Sequence, residues 1–424
     1  MKKMFHSVQL DTERCKGCIH CIKRCPTEAI RVRNGKAYIL ADRCIDCGEC
    51  IRVCPHHAKK PIFDPLSVMD RFTYKIALPA PSLYGQFHHL DDIEIVLNAL
   101  LALGFDEVAD VGAAAELISE QTRAMMADGT LKTPVISNAC PAVTRLIQVR
   151  FPSLLDHLLP LCAPVDLAAM RAKKAAAEKT GLPLEEIGAI FISPCVAKNT
   201  AMKHPIGLEK SPLDAVVAIK DIYPHLLPLM KDVQNTDMQE IPAAGRIGIN
   251  WASCGGEAAG TLHELYLAAD GPENVIKVLE DLEDEKFPDL EFVELNMCSG
   301  GCVGGVLTVE NPYVARARIK HVVKYRPVSV IHGDGDVAAQ AAWNTSVDYI
   351  PAMKLSDNMQ DAMRKLAEIN RITATLPGLD CGSCGAPTCR ALAEDAVLGY
   401  ASEQDCTVRM REWFENQKKR GESS

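Results

Sequence analysis

Cysteine dominates the residues of this chain that could do chemistry, and its densest group lies near the N-terminus. Two runs of the form C-x-x-C-x-x-C-x-x-x-C occur there, at Cys15, Cys18, Cys21 and Cys25 and at Cys44, Cys47, Cys50 and Cys54. In a paired run of this kind, three thiolates bind one [4Fe–4S] cluster and the fourth binds the other cluster. The spacing therefore predicts two clusters, one held by Cys15, Cys18, Cys21 and Cys54 and one held by Cys44, Cys47, Cys50 and Cys25. A zinc site, the alternative, needs only four ligands and would leave one run unused.

A second cysteine-rich segment lies near the C-terminus. Its spacing is Cys381-x-x-Cys384-x-x-x-x-Cys389, followed by Cys406. This spacing resembles the small [4Fe–4S] domain of corrinoid iron–sulfur proteins and of one family of membrane electron-transfer subunits. We expect a further [4Fe–4S] cluster here, and zinc stays open as the alternative on spacing alone.

Between these two ends, short apolar segments alternate with helical ones, which predicts an α/β fold with parallel sheets. The predicted strands are Tyr74–Leu78, Glu107–Asp110, Pro134–Ser137, Ala189–Ile192, Ala215–Ala218, Arg246–Asn250, Leu290–Glu294 and Val328–His332. The predicted helices include Asp91–Leu103, Gly112–Met126, Ala142–Phe151, Val165–Thr180, Gly256–Ala268 and Pro272–Leu282. Parallel sheets place binding sites beyond the C-terminal ends of their strands.

Four cysteines of this central region follow predicted strands. Cys140 follows Pro134–Ser137, Cys195 follows Ala189–Ile192, and Cys298 and Cys302 follow Leu290–Glu294. The surrounding glycines, at 300, 301, 304 and 305, allow the backbone to approach a bulky group closely. Cys162 and Cys254 are interpreted as ordinary buried thiols.

Three segments of the central region resemble, in order, the signature segments of [FeFe]-hydrogenases: SNACPAVTRLIQVRFPSLLDHL, SPCVAKNTAMKHP and ELNMCSGGCVGG. With the ferredoxin-type module in front, the resemblance covers about residues 1–350. It implies that Cys140, Cys195 and Cys298 bind the [4Fe–4S] half of an H-cluster. It further implies that Cys302 bridges to a di-iron subsite carrying CO, cyanide and a dithiolate, and that Lys198 hydrogen-bonds a cyanide of that subsite.

The chain also departs from the pattern of active hydrogenases. Ala139 stands where those enzymes carry a cysteine that relays protons, and alanine cannot carry a proton. Ser193 and Asn296 replace two methionines, and Ala201 replaces a glutamate. A carboxylate of the relay helix is predicted to survive as Glu120. We expect slow turnover, because proton transfer needs donors along the whole path. The chain in these respects resembles the sensory branch of the family.

These observations divide the chain into three predicted domains. Residues 1–62 form a small α+β ferredoxin-like domain with two [4Fe–4S] clusters, and residues 72–350 form a two-lobed hydrogenase-like α/β domain. Residues 353–424 form a helix, predicted over Met353–Glu368, and a small helical iron–sulfur domain.

The function expected from the resemblance is slow H2 oxidation or proton reduction at an H-cluster, with electrons passing through the [4Fe–4S] clusters, in a sensor of H2 or redox state. One alternative is a non-enzymatic [4Fe–4S] scaffold or redox sensor that lacks the di-iron site. Another is an electron-transfer subunit of a larger complex. The expected partners are H2 and protons, together with a redox partner protein or signalling module, and homodimer formation is left open.

Composition excludes some classes of partner. The formal net charge of −9 and the pI near 5.8 argue against nucleic acid, which binds basic surfaces. No run of 18 apolar residues predicts a membrane span, and the N-terminus lacks the apolar run of a secretory signal. We therefore expect a cytoplasmic protein, in which 18 cysteines favour metal binding over disulfides.

Overall fold

The computed structural model describes residues 5–333, 336–352 and 354–421. Its strands are β1 (Val8–Leu10), β2 (Ile30–Arg33), β3 (Lys36–Ile39), β4 (Lys59–Pro61), β5 (Tyr74–Pro79), β6 (Glu107–Val108), β7 (Val135–Ile136), β8 (Ile187–Ser193), β9 (Ala215–Ala218), β10 (Tyr266–Asp270) and β11 (Phe292–Asn296).

Helices account for much of the remaining chain. They are α1 (His20–Lys23), α2 (Glu49–Arg52), α3 (Glu94–Ala102), α4 (Val111–Ala127), α5 (Pro141–Arg150), α6 (Pro164–Thr180), α7 (Val196–Lys203), α8 (Ile219–Val233), α9 (Arg246–Asn250), α10 (Gly256–Gly260), α11 (Pro272–Glu283), α12 (Pro312–Val322), α13 (Val337–Ala341), α14 (Met359–Thr375), α15 (Cys389–Val397) and α16 (Thr407–Gly421). Among the described residues, no helix combines the length and apolarity that a membrane span requires.

Two parallel sheets form the central region, as the alternating pattern predicts. One has the strand order β6-β5-β8-β9 and the other the order β10-β11-β7. Strand β5 is buried on both faces, because Ala77 packs with α3 and α8 whereas Ile76 and Leu78 pack with α4 and α6. Both faces covered by helices is the arrangement expected of a parallel sheet. The fold is therefore α/β.

The N-terminal module is built from two antiparallel strand pairs and two short helices. Strand β1 pairs with β4, and β2 pairs with β3 in a hairpin. The module is fastened to the central region by Asp46, whose side chain is almost fully buried. That carboxylate accepts hydrogen bonds from Ser7 N at 2.8 Å and Thr200 Oγ1 at 2.8 Å, and it lies 3.6 Å from the Arg145 guanidinium.

The C-terminal helices pack against the same N-terminal module. The Asp395 carboxylate of α15 pairs with Arg31 at 2.7 Å and with Arg33 at 2.8 Å, and the Arg31 side chain is fully buried. The backbone joins as well, because Val32 N donates to Gly385 O at 2.8 Å. Gly385 has a φ of +81°, and a Cβ there would collide with the Val32 carbonyl, so the close approach requires glycine.

Two predicted strands are wrong for one shared reason. Arg246–Asn250 forms helix α9, and Val328–His332 forms no strand. The buried Glu116 carboxylate of α4 accepts hydrogen bonds from Gly245 N at the start of α9 and from Val330 N and Ile331 N. An anionic side chain at a helix N-terminus stabilises the helix, and the same carboxylate replaces the sheet partner of the second segment.

Two predicted helices have different bounds from those expected. The helix predicted over Gly256–Ala268 ends at Gly260, and the chain turns through Leu262, at φ +58°, into strand β10. The helix predicted to start at Met353 is observed as α14. The start at Met353 lies outside the described residues, and α14 begins after Asn358, whose side chain accepts hydrogen bonds from Gln360 N and Asp361 N.

Candidate metal centres

The four central cysteines lie around one cavity of about 100 Å³ between the two parallel sheets. The lining includes Cys140, Cys195, Cys298, Cys302 and Lys198. Each cysteine comes from a strand end or the loop beyond it: Cys140 and Cys195 immediately precede helices α5 and α7, and Cys298 follows β11. The fold therefore brings together thiols that are far apart in sequence.

Burial favours the protonated form of three of these thiols, those of Cys195, Cys298 and Cys302, when no metal is bound. Desolvation raises the pKa of Cys195 to about 11 and that of Cys298 to about 12, and the neighbouring cysteines add to both shifts. Desolvation also raises the pKa of Cys302, which lines the same cavity. Iron binds thiolate, so loading this site releases protons.

Two glycines of the loop that follows Cys298 pack against the backbone of other loops. Gly301 has a φ of +91°, and a Cβ there would collide with Cys254 N. A Cβ on Gly305 would collide with the Pro194 carbonyl, immediately before Cys195. Glycine is required at both positions, because the loop must approach two other loops of the site.

Lys198 and Arg52 supply positive charge around the cavity. Lys198 lies on α7, and its positive charge opposes the rise that burial causes in the pKa of Cys195 and of Cys302. Arg52 belongs to the N-terminal module, yet its side chain hydrogen-bonds Cys298 and donates to Gly304 O at 2.8 Å. Cationic donors beside thiolates favour their anionic form. The set of four thiols, an ammonium and a guanidinium therefore fits an anionic iron–sulfur group.

The N-terminal cysteines gather in two sets. Four of them line a second cavity: Cys25, Cys44, Cys47 and Cys50. Burial raises the pKa of Cys21 to about 11, with smaller contributions from Cys18, Cys54 and Cys15, so these four thiols are also neighbours. Backbone N–H groups point at the crossing cysteines, with Ala29 N 3.2 Å from Cys25 Sγ and Ala58 N 3.3 Å from Cys54 Sγ.

The C-terminal cysteines also converge. One small cavity is lined by Cys381, Cys384, Cys389 and Cys406. Lys23, at the end of α1, donates to Asp380 O at 2.6 Å and to Pro387 O at 3.1 Å. The C-terminal site therefore lies beside the helix that carries Cys21.

Comparison with known families assigns these parts. Residues 73–266 match the C-terminal domain of the iron only hydrogenase large subunit, a region that includes Cys140 and Cys195. Residues 7–55 match the 4Fe-4S dicluster domain, and residues 376–408 match an Fe–S cluster family. Over these segments the chain is similar to [FeFe]-hydrogenases. It is an iron–sulfur protein with [4Fe–4S] domains at its N-terminus.

The proteins that are similar to this chain in sequence include hydrogenase subunits and Fe-S cluster assembly factors. The periplasmic [Fe] hydrogenase large subunit of Nitratidesulfovibrio vulgaris is 28% identical over 273 residues, which is 59% of this chain and 63% of that protein. The NADP-reducing hydrogenase subunit HndD of Solidesulfovibrio fructosivorans is 28% identical over 25% of this chain and 20% of its own length. The cytosolic Fe-S cluster assembly factor nar1 of Aspergillus flavus is 28% identical over 32% of this chain and 24% of its own length. The chain thus spans less than two thirds of each of these relatives.

Solved [FeFe]-hydrogenase structures are also similar to this chain. An [FeFe]-hydrogenase described in connection with oxygen inactivation has a TM-score of 0.45 and 15% identity, covering 63% of this chain and 88% of that chain. An apo variant of HydA1 from Chlamydomonas reinhardtii has a TM-score of 0.41 and 15% identity, covering 58% of this chain and 83% of that chain.

The cavity lined by the four central cysteines also contains a carboxyl group that the sequence does not predict. Ala139 lines the cavity without a proton-carrying group, but Glu257 lines it as well and is 6% exposed. Ser137 Oγ accepts from Ala139 N at 3.2 Å and donates to Glu257 at 2.6 Å. Burial, followed by the charge of Glu294, raises the pKa of Glu257 to about 8.

Glu294 is the charged partner of this pair. Its carboxylate accepts hydrogen bonds from Gly255 N at 3.0 Å, Ala258 N at 2.9 Å and Asn296 Nδ2 at 2.7 Å. Three donors stabilise the anion, so Glu257 holds the proton of the pair. The sequence does not indicate that these two carboxyl groups form a pair, because Glu257 and Glu294 lie far apart in the chain.

Glu120 is the carboxylate that the resemblance indicates for the relay helix. It lies on α4, but it is not among the residues that line the cavity. Its carboxylate accepts a hydrogen bond from Gly333 N at 3.0 Å. Within the described part of the chain, Glu257 and Glu294 are the carboxylates that reach the cavity.

Proposed function

We propose that this chain binds an H-cluster in the central cavity and reacts slowly with H2, passing electrons through its [4Fe–4S] clusters. The observation that carries the proposal is the convergence of Cys140, Cys195, Cys298 and Cys302 on one cavity that Lys198 also lines. The similarity of residues 73–266 to the iron only hydrogenase large subunit supports the binding of an H-cluster in this cavity.

In the proposed complex, Cys140, Cys195 and Cys298 would hold the cubane, and Cys302 would be its fourth ligand and the chain's own ligand to the di-iron subsite. The bound di-iron subsite supplies the metal chemistry by which H2 is split or formed. Lys198 places an ammonium beside Cys302, where it offsets the negative charge of the group. The remaining lining is mostly apolar, with Val165 and Phe191 among its members, and it limits the access of water.

The chain offers its own route for the proton. Glu257 accepts or releases a proton at its carboxyl group inside the cavity, since its pKa lies near 8. Ser137 and Glu294 are the neighbours that position it and set its charge. A general acid works best when its pKa lies near the working pH, so Glu257 compensates in part for Ala139.

Electrons leave through the N-terminal module. Gly48, in the loop between Cys47 and Cys50, packs against Val306 of the central region. The Arg52 side chain of the same module hydrogen-bonds Cys298. The cluster held by Cys25, Cys44, Cys47 and Cys50 is therefore the neighbour of the central site. The cluster of Cys21 comes next, and the C-terminal cluster adjoins it through Lys23.

We further propose that the chain acts in the cytoplasm as a sensor that reports H2 or redox state to a redox partner or signalling module. The missing relay thiol at Ala139 favours a slow reporter over a fast catalyst.

A second function is favoured by the similarity to cytosolic Fe-S cluster assembly factors. On this alternative, the cavity holds a [4Fe–4S] cluster alone, and the chain acts as a scaffold or redox sensor without the di-iron subsite.

Infrared spectroscopy separates the two functions. The anaerobic protein, with its cubanes in place, is treated with a synthetic di-iron mimic, and CO and cyanide stretching bands are recorded beside the Cys302→Ser variant. The proposal predicts protein-bound bands and slow H2–D2O exchange in the parent and neither in the variant. A parent without bands, but with intact cubanes by iron and sulfide analysis, would establish the scaffold function instead.

A further inference from the structure

The two halves of the N-terminal module repeat one local structure. The sequence after the crossing cysteine is Cys25-Pro-Thr-Glu-Ala-Ile30 in the first half and Cys54-Pro-His-His-Ala-Lys59 in the second. Glu28 and His57, at matching positions, have φ values of +50° and +49°, and strands β2 and β4 begin at Ile30 and Lys59.

The repeat differs at one buried position. Ile30 is 2% exposed and Lys59 is 3% exposed, so a charged side chain occupies a place where its counterpart is apolar. Lys59 Nζ is buried and has no hydrogen-bond partner in the described part of the chain. An uncompensated ammonium is costly to bury, so this position favours a ligand or group of opposite charge.

The groups around Lys59 belong to both cluster sites. Strand β4 packs against helix α2, which carries Cys50, and Ala58 packs in the same apolar cluster as Cys21 and Cys54. The positive charge of Lys59 opposes the effect of burial on the pKa of Cys21, Cys50 and Cys54. Its ammonium therefore lies within electrostatic reach of each of these thiols. Cys21 and Cys54 belong to one predicted cluster and Cys50 to the other. Lys59 therefore lies between the two sites.

We propose that the buried ammonium of Lys59 is a shared counter-charge for the two N-terminal clusters and raises their reduction potentials. Reduction adds one electron to a cluster and therefore one negative charge, with no bond formed or broken. A fixed positive charge in a site of low dielectric constant stabilises the reduced form more than the oxidised form. The inference rests on the proposed assignment of the eight N-terminal cysteines to two clusters.

This counter-charge gives the electron route a direction. Clusters of higher potential accept electrons more readily from the central cavity, so Lys59 favours electron flow outward, as H2 oxidation requires. Ile30 contributes no such charge at the matching position of the other half.

A redox titration of the full chain tests the inference. Dithionite is added to the anaerobic protein in the presence of mediators, and the reduced clusters are followed by electron paramagnetic resonance. Three variants are compared with the parent: Lys59→Met removes the charge and keeps the length, Lys59→Arg keeps the charge, and Ile30→Met is the matched control in the other half. Lys59→Gln is a second neutral variant in case Lys59→Met fails to fold.

At a fixed potential near the parent's midpoint, we expect the ratio of reduced to oxidised N-terminal cluster to fall about tenfold or more in Lys59→Met. Tenfold corresponds to about 59 mV for one electron. Lys59→Arg and Ile30→Met should titrate like the parent. A neutral variant that binds both clusters and titrates like the parent would overturn the inference, as would an equal shift in Ile30→Met. Iron and sulfide analysis of the parent distinguishes this from failure of the cluster assignment, in which the N-terminal signals would be missing altogether.

Discussion

The N-terminal module and the central cavity both collect cysteines, but they do so at different levels of structure. In the N-terminal module, short loops of one small unit supply the thiols, and three of every four come from a single C-x-x-C-x-x-C run. In the central cavity, the thiols come from three separate strand ends that meet only when two sheets have packed together. The first kind of site is visible in local spacing, whereas the second exists only in the finished fold.

The difference has energetic consequences. Closing a short loop costs little conformational entropy, so the N-terminal cysteines can gather around iron early in folding. The central thiols are held by cores that already exist, and burial raises the pKa of Cys195 and of Cys298, which favours their neutral form before iron binds. The central site is therefore a preformed cavity, and its loss should leave the N-terminal clusters in place.

The largest expected effect separates the two regions directly. Cys195→Ser should abolish H2 chemistry and lower the iron content by one cubane, because the central cluster loses a ligand. The N-terminal signals in electron paramagnetic resonance should persist. The matched control is Cys162→Ser, which changes a buried thiol outside the cavity lining and should keep full iron content. Equal losses of iron in both variants would contradict the assignment.

The second effect concerns the proton route of the central cavity. Glu257→Gln keeps the shape of the side chain but cannot exchange a proton, so H2–D2O exchange should fall by about 10²-fold or more. Glu120→Gln, on α4 and outside the cavity lining, should leave the exchange rate unchanged. The reverse ranking of the two variants would restore Glu120 as the relay carboxylate.

The third effect concerns the contact between the two cysteine-rich ends. Asp395→Asn leaves the buried Arg31 guanidinium without its carboxylate, and breaking such a pair costs about 3–5 kcal/mol. Hydrogen exchange of strand β2 and the amide of Gly385 should accelerate accordingly. Asp361→Asn, which breaks an exposed ion pair of α14, is the control and should show no measurable change. Unchanged protection in Asp395→Asn would mean that the ends are held by other contacts.

The smallest effect is a pH dependence of the metal-free chain. Glu257 has a folded-state pKa of about 8 against an ordinary value of 4.5, so its contribution to stability is complete below pH 4.5 and is lost as pH rises through about 8. The groups that face it are Glu294, Ser137 and Lys198. The free energy of unfolding should fall by at most about 1.4 kcal/mol per pH unit in this window. Chemical denaturation at several pH values should show this slope in the parent and a flatter one in Glu257→Gln.

Much of this arrangement could be predicted from the sequence because it depends on local spacing. The two N-terminal runs and the parallel α/β pattern both reflect neighbouring residues. Helix α8 was missed because Pro224 and Pro228 lie inside it, and proline usually interrupts a helix. In the structure the helix persists with both prolines and buries Ile222 and Leu226 in the core.

Features that depend on distant contacts could not be predicted. Glu116 determines the conformation of two segments that lie far from it in sequence, and nothing in the apolar alternation of Arg246–Asn250 reports this. The raised pKa of Glu257 has the same origin, since it results from burial and from the charge of Glu294. Glu120, which the resemblance to active hydrogenases indicates as a relay carboxylate, accepts a hydrogen bond from Gly333 N and does not line the cavity.

Anomalous diffraction at the iron absorption edge, from anaerobic crystals of the full chain, tests the central claim most directly. The account predicts an iron peak inside the cavity bounded by Cys140, Cys195, Cys298 and Cys302, in addition to peaks at the N-terminal sites. A cavity with no iron peak, or with a peak that appears only at the zinc edge, while the N-terminal iron peaks are strong, would contradict it.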